Sequence, residues 1–151
     1  MSNNQNQLGL KYLFGRIYLE SSSVVATFGT TPFELSGLST AFTLDSAGSS
    51  ALVMTTDGRL KYTGTQTKTF RCSASAGSNV SGYEFQTAIR KNGVSQSNAI
   101  AIGPAVGCPV VVDAYISLAT NDYLSLFVNY VTGSTGSYNI YNAQISVVST
   151  T

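Results

Sequence analysis

Apolar and polar residues alternate at a spacing of two along most of this chain, and most regularly from Val110 to Tyr130 (VVVDAYISLATNDYLSLFVNY). Val110, Val112, Ala114, Ile116 and Leu118 share one parity, against Val111, Asp113, Tyr115 and Ser117. After a polar turn at Ala119-Thr120-Asn121-Asp122, Leu124, Leu126, Val128 and Tyr130 oppose Tyr123, Ser125, Phe127 and Asn129. Alternation rich in β-branched and aromatic residues predicts half-buried strands, because successive side chains on a strand point to opposite faces. The stretch is expected to be a hairpin that the rest of the chain pairs with and covers.

The same reading extends along the chain. Met1–Gln7 is a polar tail. Leu8–Glu20 predicts an extended arm or first strand bent at Gly15, with a short helix as the alternative. Val24–Phe28 is a short strand, Phe33–Leu38 a loop, Ser39–Leu44 a strand and Asp45–Ser50 a loop. Asp57-Gly58 between two apolar runs predicts a hairpin over Ala51–Thr63 with a type I′ turn, in which both central residues take φ > 0. Thr67–Ala76 places Phe70, Cys72, Ala74 and Ala76 inward and Thr69, Arg71, Ser73 and Ser75 outward. Tyr83–Lys91 follows, turning at Asn92-Gly93 into a weaker or edge strand, Val94–Ile102. A constrained loop, Gly103–Pro109, leads to the central stretch, and Tyr138–Val148 closes the chain. About eight to ten short strands with turn chemistry between them predict an antiparallel two-sheet β-sandwich or jelly roll. Residues 1–20 form the tail and arm, and 21–151 form a single domain.

Composition narrows function by exclusion. Lys+Arg number 8 and Asp+Glu 7, for a net charge of +1, so no basic surplus marks a nucleic-acid binder. Only 10% of residues are charged, which is met either by burying part of the surface against another subunit or by Ser, Thr and Asn keeping a β surface wet. The chain has no histidine, which removes the usual general base and the commonest metal ligand. Cys72 and Cys108 read as small reduced core residues, with a single disulfide as the alternative. No metal-ligand spacing, Walker loop or dinucleotide-binding glycine loop occurs, so no cofactor is implied. Glycoside hydrolysis needs two facing carboxylates. Of the candidates, Asp57 and Asp122 already have backbone roles in turns. The reading is therefore not an enzyme. The Asn79-Val80-Ser81 sequon is explained by loop composition. No apolar run approaches the ~20 residues of a membrane-spanning helix, and no signal-peptide pattern opens the chain. Arg71 and Asp113 both fall on the outward side of their strands, with Tyr115 beside Asp113. They are either solvated surface charges or charges buried against another subunit.

The order of elements resembles the C1q/tumour-necrosis-factor-like jelly roll. The resemblance lies in Asp57-Gly58-Arg59-Leu60 running into Phe70-Arg71-Cys72, in Arg90-Lys91-Asn92-Gly93-Val94, in Ile116–Asp122 followed by Tyr123-Leu124-Ser125-Leu126, and in the terminal strand through Ile145. It spans residues 51–149. Asn121 stands where that family commonly has glycine, and the collagen stalk of C1q proteins is absent. The resemblance implies a homotrimer whose inner sheet packs around the threefold axis. Carried onto this chain, it places Thr69, Arg71, Ser73, Asp113, Tyr115, Ser117, Asn142, Gln144 and Ser146 against neighbouring subunits, with an Arg71–Asp113 pair between subunits. Jelly rolls rich in Ser, Thr, Asn and Gly and lacking a stalk look like those of virion proteins, such as capsid, decoration or fibre-head components. The expectation is a virion structural protein that binds itself, other virion proteins through Leu8–Glu20, and a host glycan or protein receptor. The alternative is a soluble C1q-like ligand-binding module outside any virion.

Overall fold

The computed structural model describes residues 12–19, 23–35, 42–46, 49–106 and 108–150. The polar tail, the start of the arm and Glu20 lie outside these residues. The described residues form twelve strands and no α-helix: β1 (Phe14–Leu19), β2 (Val24–Phe28), β3 (Phe33–Glu34), β4 (Phe42–Asp45), β5 (Leu52–Met54), β6 (Leu60–Tyr62), β7 (Lys68–Ser78), β8 (Glu84–Lys91), β9 (Val94–Pro104), β10 (Val110–Leu118), β11 (Tyr123–Tyr130) and β12 (Gly136–Ser149). They make two antiparallel sheets. The first runs β10-β7-β12-β1-β4 with β2 also on β12, and the second runs β5-β6-β11-β8-β9 with β3 on β11.

The central stretch is two strands but not a hairpin. β10 pairs with β7 in the first sheet, while β11 pairs with β8 in the second. Residues 119–122 carry the chain from one sheet to the other. Alternation shows which side chains turn inward, but it does not say which strand lies alongside. The inward rows of β10 and β11 therefore sit in opposite walls of one core, where Ile116, Leu118, Leu124, Leu126 and Val128 are all at most 4% exposed. Burying each such side chain contributes roughly 1.5–3 kcal/mol. On β7, Phe70, Cys72, Ala74 and Ala76 are buried as their parity predicts. One end of the core is aromatic. The Tyr130 ring lies 5.1 Å from Phe28 and 4.9 Å from Tyr138 on the first sheet, and 5.8 Å from Phe85 on the second. Its hydroxyl and that of Ser78 share a hydrogen bond, so the phenol is satisfied in the interior.

Several local expectations change. Gly15 does not bend the arm; it lies inside β1, where an added Cβ would come within 2.9 Å of Leu52 Cδ1. The inward set of β1 is Gly15, Ile17 and Leu19, so Phe14 turns outward. Phe14–Leu19 is an integral strand between β12 and β4, so this part of the arm is built into the sheet. Residues 33 and 34, expected in a loop, form β3. The β5–β6 turn is not type I′: Gly58 alone has positive φ (76°), and its N–H donates to Thr55 O at 2.9 Å. This is a three-residue loop with glycine at the left-handed position. The β8–β9 turn does take positive φ at both Asn92 (52°) and Gly93 (77°). Both cysteines are unpaired; Cys72 is buried, but Cys108 is exposed and no part of the core.

The two motif segments of the resemblance meet each other. Asp122 Oδ1 accepts from Asn92 Nδ2 at 2.7 Å, and Asp122 Oδ2 accepts from Ala119 N at 2.8 Å. Lys91 Nζ lies 2.9 Å from Asp122 Oδ2 and donates to Ser117 O at 2.8 Å. Asn92 Oδ1 accepts from Tyr123 N at 3.0 Å. The same turn is held to β6, where Asn121 N donates to Tyr62 O and Tyr62 N to Asp122 O. Asn121 has φ of 73°, the left-handed region that glycine enters most easily and asparagine next, which accounts for this substitution at a family glycine. Burial alone would raise the Asp122 pKa. The hydrogen bonds from Asn92, Lys91 and the Ala119 amide outweigh it and hold the carboxyl below the usual carboxylate range.

Two outcomes follow from this turn. Asn121→Gly is neutral or stabilising, whereas Asn121→Val costs about 1–2 kcal/mol in chemical denaturation, because a β-branched residue is strained in the left-handed region. The folded state binds the Asp122 proton more weakly than the unfolded chain does. Its contribution to stability is therefore full above the ordinary carboxylate range and is lost as pH falls through and below that range. Thermal midpoints measured against pH decline less steeply on the acid side in Asp122→Asn than in the parent.

Candidate functional site

All nine residues singled out by the sequence lie on β7, β10 and β12, on the face of the first sheet turned away from the core. The register aligns them in rows across strands. Asp113 lies opposite Ser73, Ser73 opposite Ser146, Ser146 opposite Arg16, and Arg16 opposite Asp45. A second row runs Tyr115, Arg71, Val148, Phe14, and a third runs Val111, Ser75, Gln144, Tyr18, Thr43. Ser117 faces Thr69, and their hydroxyls share a 2.9 Å hydrogen bond. Asn142 reaches this face through a bulge. Between Tyr141 and Gln144 the β12 register shifts, Asn142 takes φ of 53°, and its carbonyl accepts from Ser75 Oγ at 3.0 Å. The extra residue resets the parity of β12, so that Ile140 and Ile145 both face the core.

The face is built mainly of small hydroxyls, balanced charges and a few exposed apolar groups. Tyr115 is 63% exposed, Val111 56% and Val148 37%. Shallow depressions of about 230 Å³ and 400 Å³ flank Val148 and Val111; the first has Phe14, Arg71, Asp113 and Ser146 in its wall, the second Arg16, Tyr18, Pro109 and Gln144. Arg71 Nε lies 3.7 Å from Asp113 Oδ1 in the same chain. Within one chain the two residues already meet, because β7 and β10 are adjacent and they are diagonal neighbours. Both side chains are at least half exposed, so the pair contributes roughly 0–1 kcal/mol. Across the sheet Arg16 sits 3.7 Å from Asp45 and 4.5 Å above the Tyr18 ring.

Sequence reasoning missed Phe14, Arg16, Tyr18, Val111 and Val148 as members of this surface. Val111 and Val148 carried a signal, since each is an apolar residue at an outward parity. Nothing in the sequence said that β1 would lie beside β12. The free edge of β10 is capped from the other sheet: Asn98 Nδ2 donates to Tyr115 O at 3.5 Å, and Lys91 Nζ takes Ser117 O.

Of the carboxylates weighed for catalysis, Asp45, Asp57, Asp113, Asp122 and Glu34 each stand in an ion pair. Asp57 and Glu34 both engage Arg59, at 2.6 and 2.7 Å, and Arg59 also lies 4.7 Å over the Tyr123 ring. The hydrogen bond from Thr55, helped by Arg59, holds Asp57 below the usual carboxylate range despite some burial, and the Glu34 partnership raises Arg59. Burial pushes the Cys72 thiol up to about 12, so it stays protonated and unreactive. Among the described residues no group of three or more His, Cys, Asp or Glu is placed to hold a metal.

No family model matches the chain, and no curated protein matches it. Solved structures do. Eiger TNF from S. frugiperda superposes with a TM-score of 0.59 at 10% identity, over 93% of each chain. Murine APRIL superposes with a TM-score of 0.59 at 8% identity, over 92% of this chain and 99% of its own. At such identities the likeness speaks for fold alone. With two antiparallel sheets in this order and these neighbours, the chain has the C1q/tumour-necrosis-factor-like jelly-roll fold.

Proposed function

We propose that this chain is a non-enzymatic structural and binding protein that assembles as a homotrimer through the outward face of the first sheet. The observation that carries the reading is the exposure of Tyr115 and Val111 on a face otherwise made of small hydroxyls and internally balanced charges. Exposed aromatic and aliphatic groups on a face whose charges are already paired suit an interface centre. A chain with 10% charged residues also gains from covering such a face. The homotrimer is what the family resemblance implies, and the fold supports it. Ion-paired carboxylates and the lack of histidine support a role without catalysis.

The setting we favour is a virion: a capsid, decoration or fibre-head component, with a host glycan or protein receptor as ligand and other virion proteins as partners. Composition supports this setting, through surfaces kept wet by Ser, Thr, Asn and Gly rather than by charge. Threefold repetition would turn a weak ligand site into an avid one without any new contact. Any attachment through the arm falls to the residues before Phe14, because Phe14–Leu19 is taken up in the sheet. A binding module outside any virion is the second reading, favoured by neighbours that are themselves Eiger TNF and APRIL. Peptide mapping of purified particles decides between the two settings: virion membership requires peptides of this chain at a stoichiometry in multiples of three.

The trimer is tested separately. Light scattering should give three times the 15.9 kDa chain mass. Tyr115→Asp should weaken self-association at least about tenfold while the far-ultraviolet spectrum keeps its β signature. A parent protein that remains at single-chain mass at tens of micromolar would end this reading.

A further inference from the structure

Asn92-Gly93 is the chain's one Asn-Gly pair, and it lies where the β8–β9 turn is bonded to the turn after β10. Asn-Gly is the dipeptide most prone to spontaneous deamidation, because glycine offers no side chain to hinder attack by its own backbone nitrogen. Both residues are exposed, so water reaches them. Yet the amide that must react is held at both ends. Asn92 Nδ2 donates to Asp122 Oδ1 at 2.7 Å, and Asn92 Oδ1 accepts from Tyr123 N at 3.0 Å. Its backbone N–H also donates to Tyr123 O, so main chain and side chain are fixed against the same neighbour.

We infer that Asn92 is a deamidation site kept slow by this clasp, and that its conversion opens the clasp irreversibly. The chemistry needs only water. The Gly93 nitrogen loses its proton to hydroxide and attacks Asn92 Cγ; the new C–N bond closes a five-membered imide as ammonia leaves with a proton from water. Water then opens the ring at either carbonyl, giving aspartate or isoaspartate. Aspartate replaces the Asn92 donor with a carboxylate facing the Asp122 carboxylate, a like-charge contact where a hydrogen bond had been, and isoaspartate removes the same donor by drawing Cγ into the main chain. Isoaspartate also adds a backbone methylene to a two-residue turn whose residues both have positive φ. Lys91, which spans Asp122 and Ser117 O, loses its setting with the turn. The end of β10 that carries Ser117, Tyr115 and Asp113 is loosened in turn. The site thus ties the chemical age of the protein to the integrity of its candidate interaction strand. The deamidation itself does not depend on the proposed assembly.

The test is peptide mapping of full-length protein incubated in mildly alkaline buffer, following amide-to-acid conversion at each asparagine, with Asn98 and Asn139 as internal references. Asn92 should convert at least about tenfold more slowly in the folded protein than in the same protein held in urea, as expected when reaction requires local opening. Lys91→Ala and Asp122→Asn should each accelerate it in the folded state. Asn92→Asp, the direct product, should lower the thermal midpoint, and Asn92→Ser, which adds no charge, should lower it less. Equal rates in folded and unfolded protein would overturn the protection. An unchanged midpoint in Asn92→Asp would overturn the opening. Both readouts stand in a monomer, so they are independent of light-scattering mass.

Discussion

The structure rests on one geometric constraint: the two sides of a strand must serve different solvents. Once Phe70, Cys72, Ala74 and Ala76 are committed to the interior, Thr69, Arg71 and Ser73 have no choice but to face out, and Ser75 shares their side but is buried and donates to Asn142 O. β10 and β12 follow the same rule beside β7, so the core determines the membership of the outward rows. The rule survives even where β12 gains a residue. The bulge at Asn142 swaps its parity once, and Ala143, Ile145 and Val147 return to the interior.

The motif residues are joinery rather than chemistry. Lys91 and Asn92 lie 31 and 30 positions before Asp122, yet both bond to it, and the three side chains also reach main-chain groups at Ala119, Ser117 and Tyr123. The turn they secure is the point where the chain leaves one sheet for the other. A crossing of this kind has no ladder of its own to hold it, so side chains supply the bonds that strands would otherwise make. Residues held for this reason mark architecture, and they say little about ligands.

What the sequence disclosed follows the same division. Inward residues were legible wherever alternation was clean, but β10 alone of the central pair is half-buried: on β11 the opposite parity, Ser125, Phe127 and Asn129, is buried as well. Pairing was not legible: Val110–Tyr130 reads as a hairpin because its two halves are adjacent and alike, but they part into different sheets. The position of a sharp turn was legible at Asn92-Gly93, where two residues join the strands. Turn type was misread at Asp57-Gly58, where one more loop residue moves the positive φ to glycine alone. On the outward face, nine residues on three strands were identified from parity and resemblance, whereas Phe14, Arg16 and Tyr18 were not. Their place there depends on β1 docking beside β12, a long-range choice that no local pattern records. Cys108 was taken for core on residue type alone, and a residue in a surface loop obeys the loop.

The stoppered rim of β10 has a consequence for how copies of this molecule add up. A sheet with an open border tends to recruit further strands end over end, and such growth has no natural stopping point. Here Lys91 and Asn98 reach over from the opposite layer and occupy carbonyls along that border. Lateral growth is thereby discouraged along that border, and a contact made through the broad side of the sheet would avoid the open-ended addition of strands.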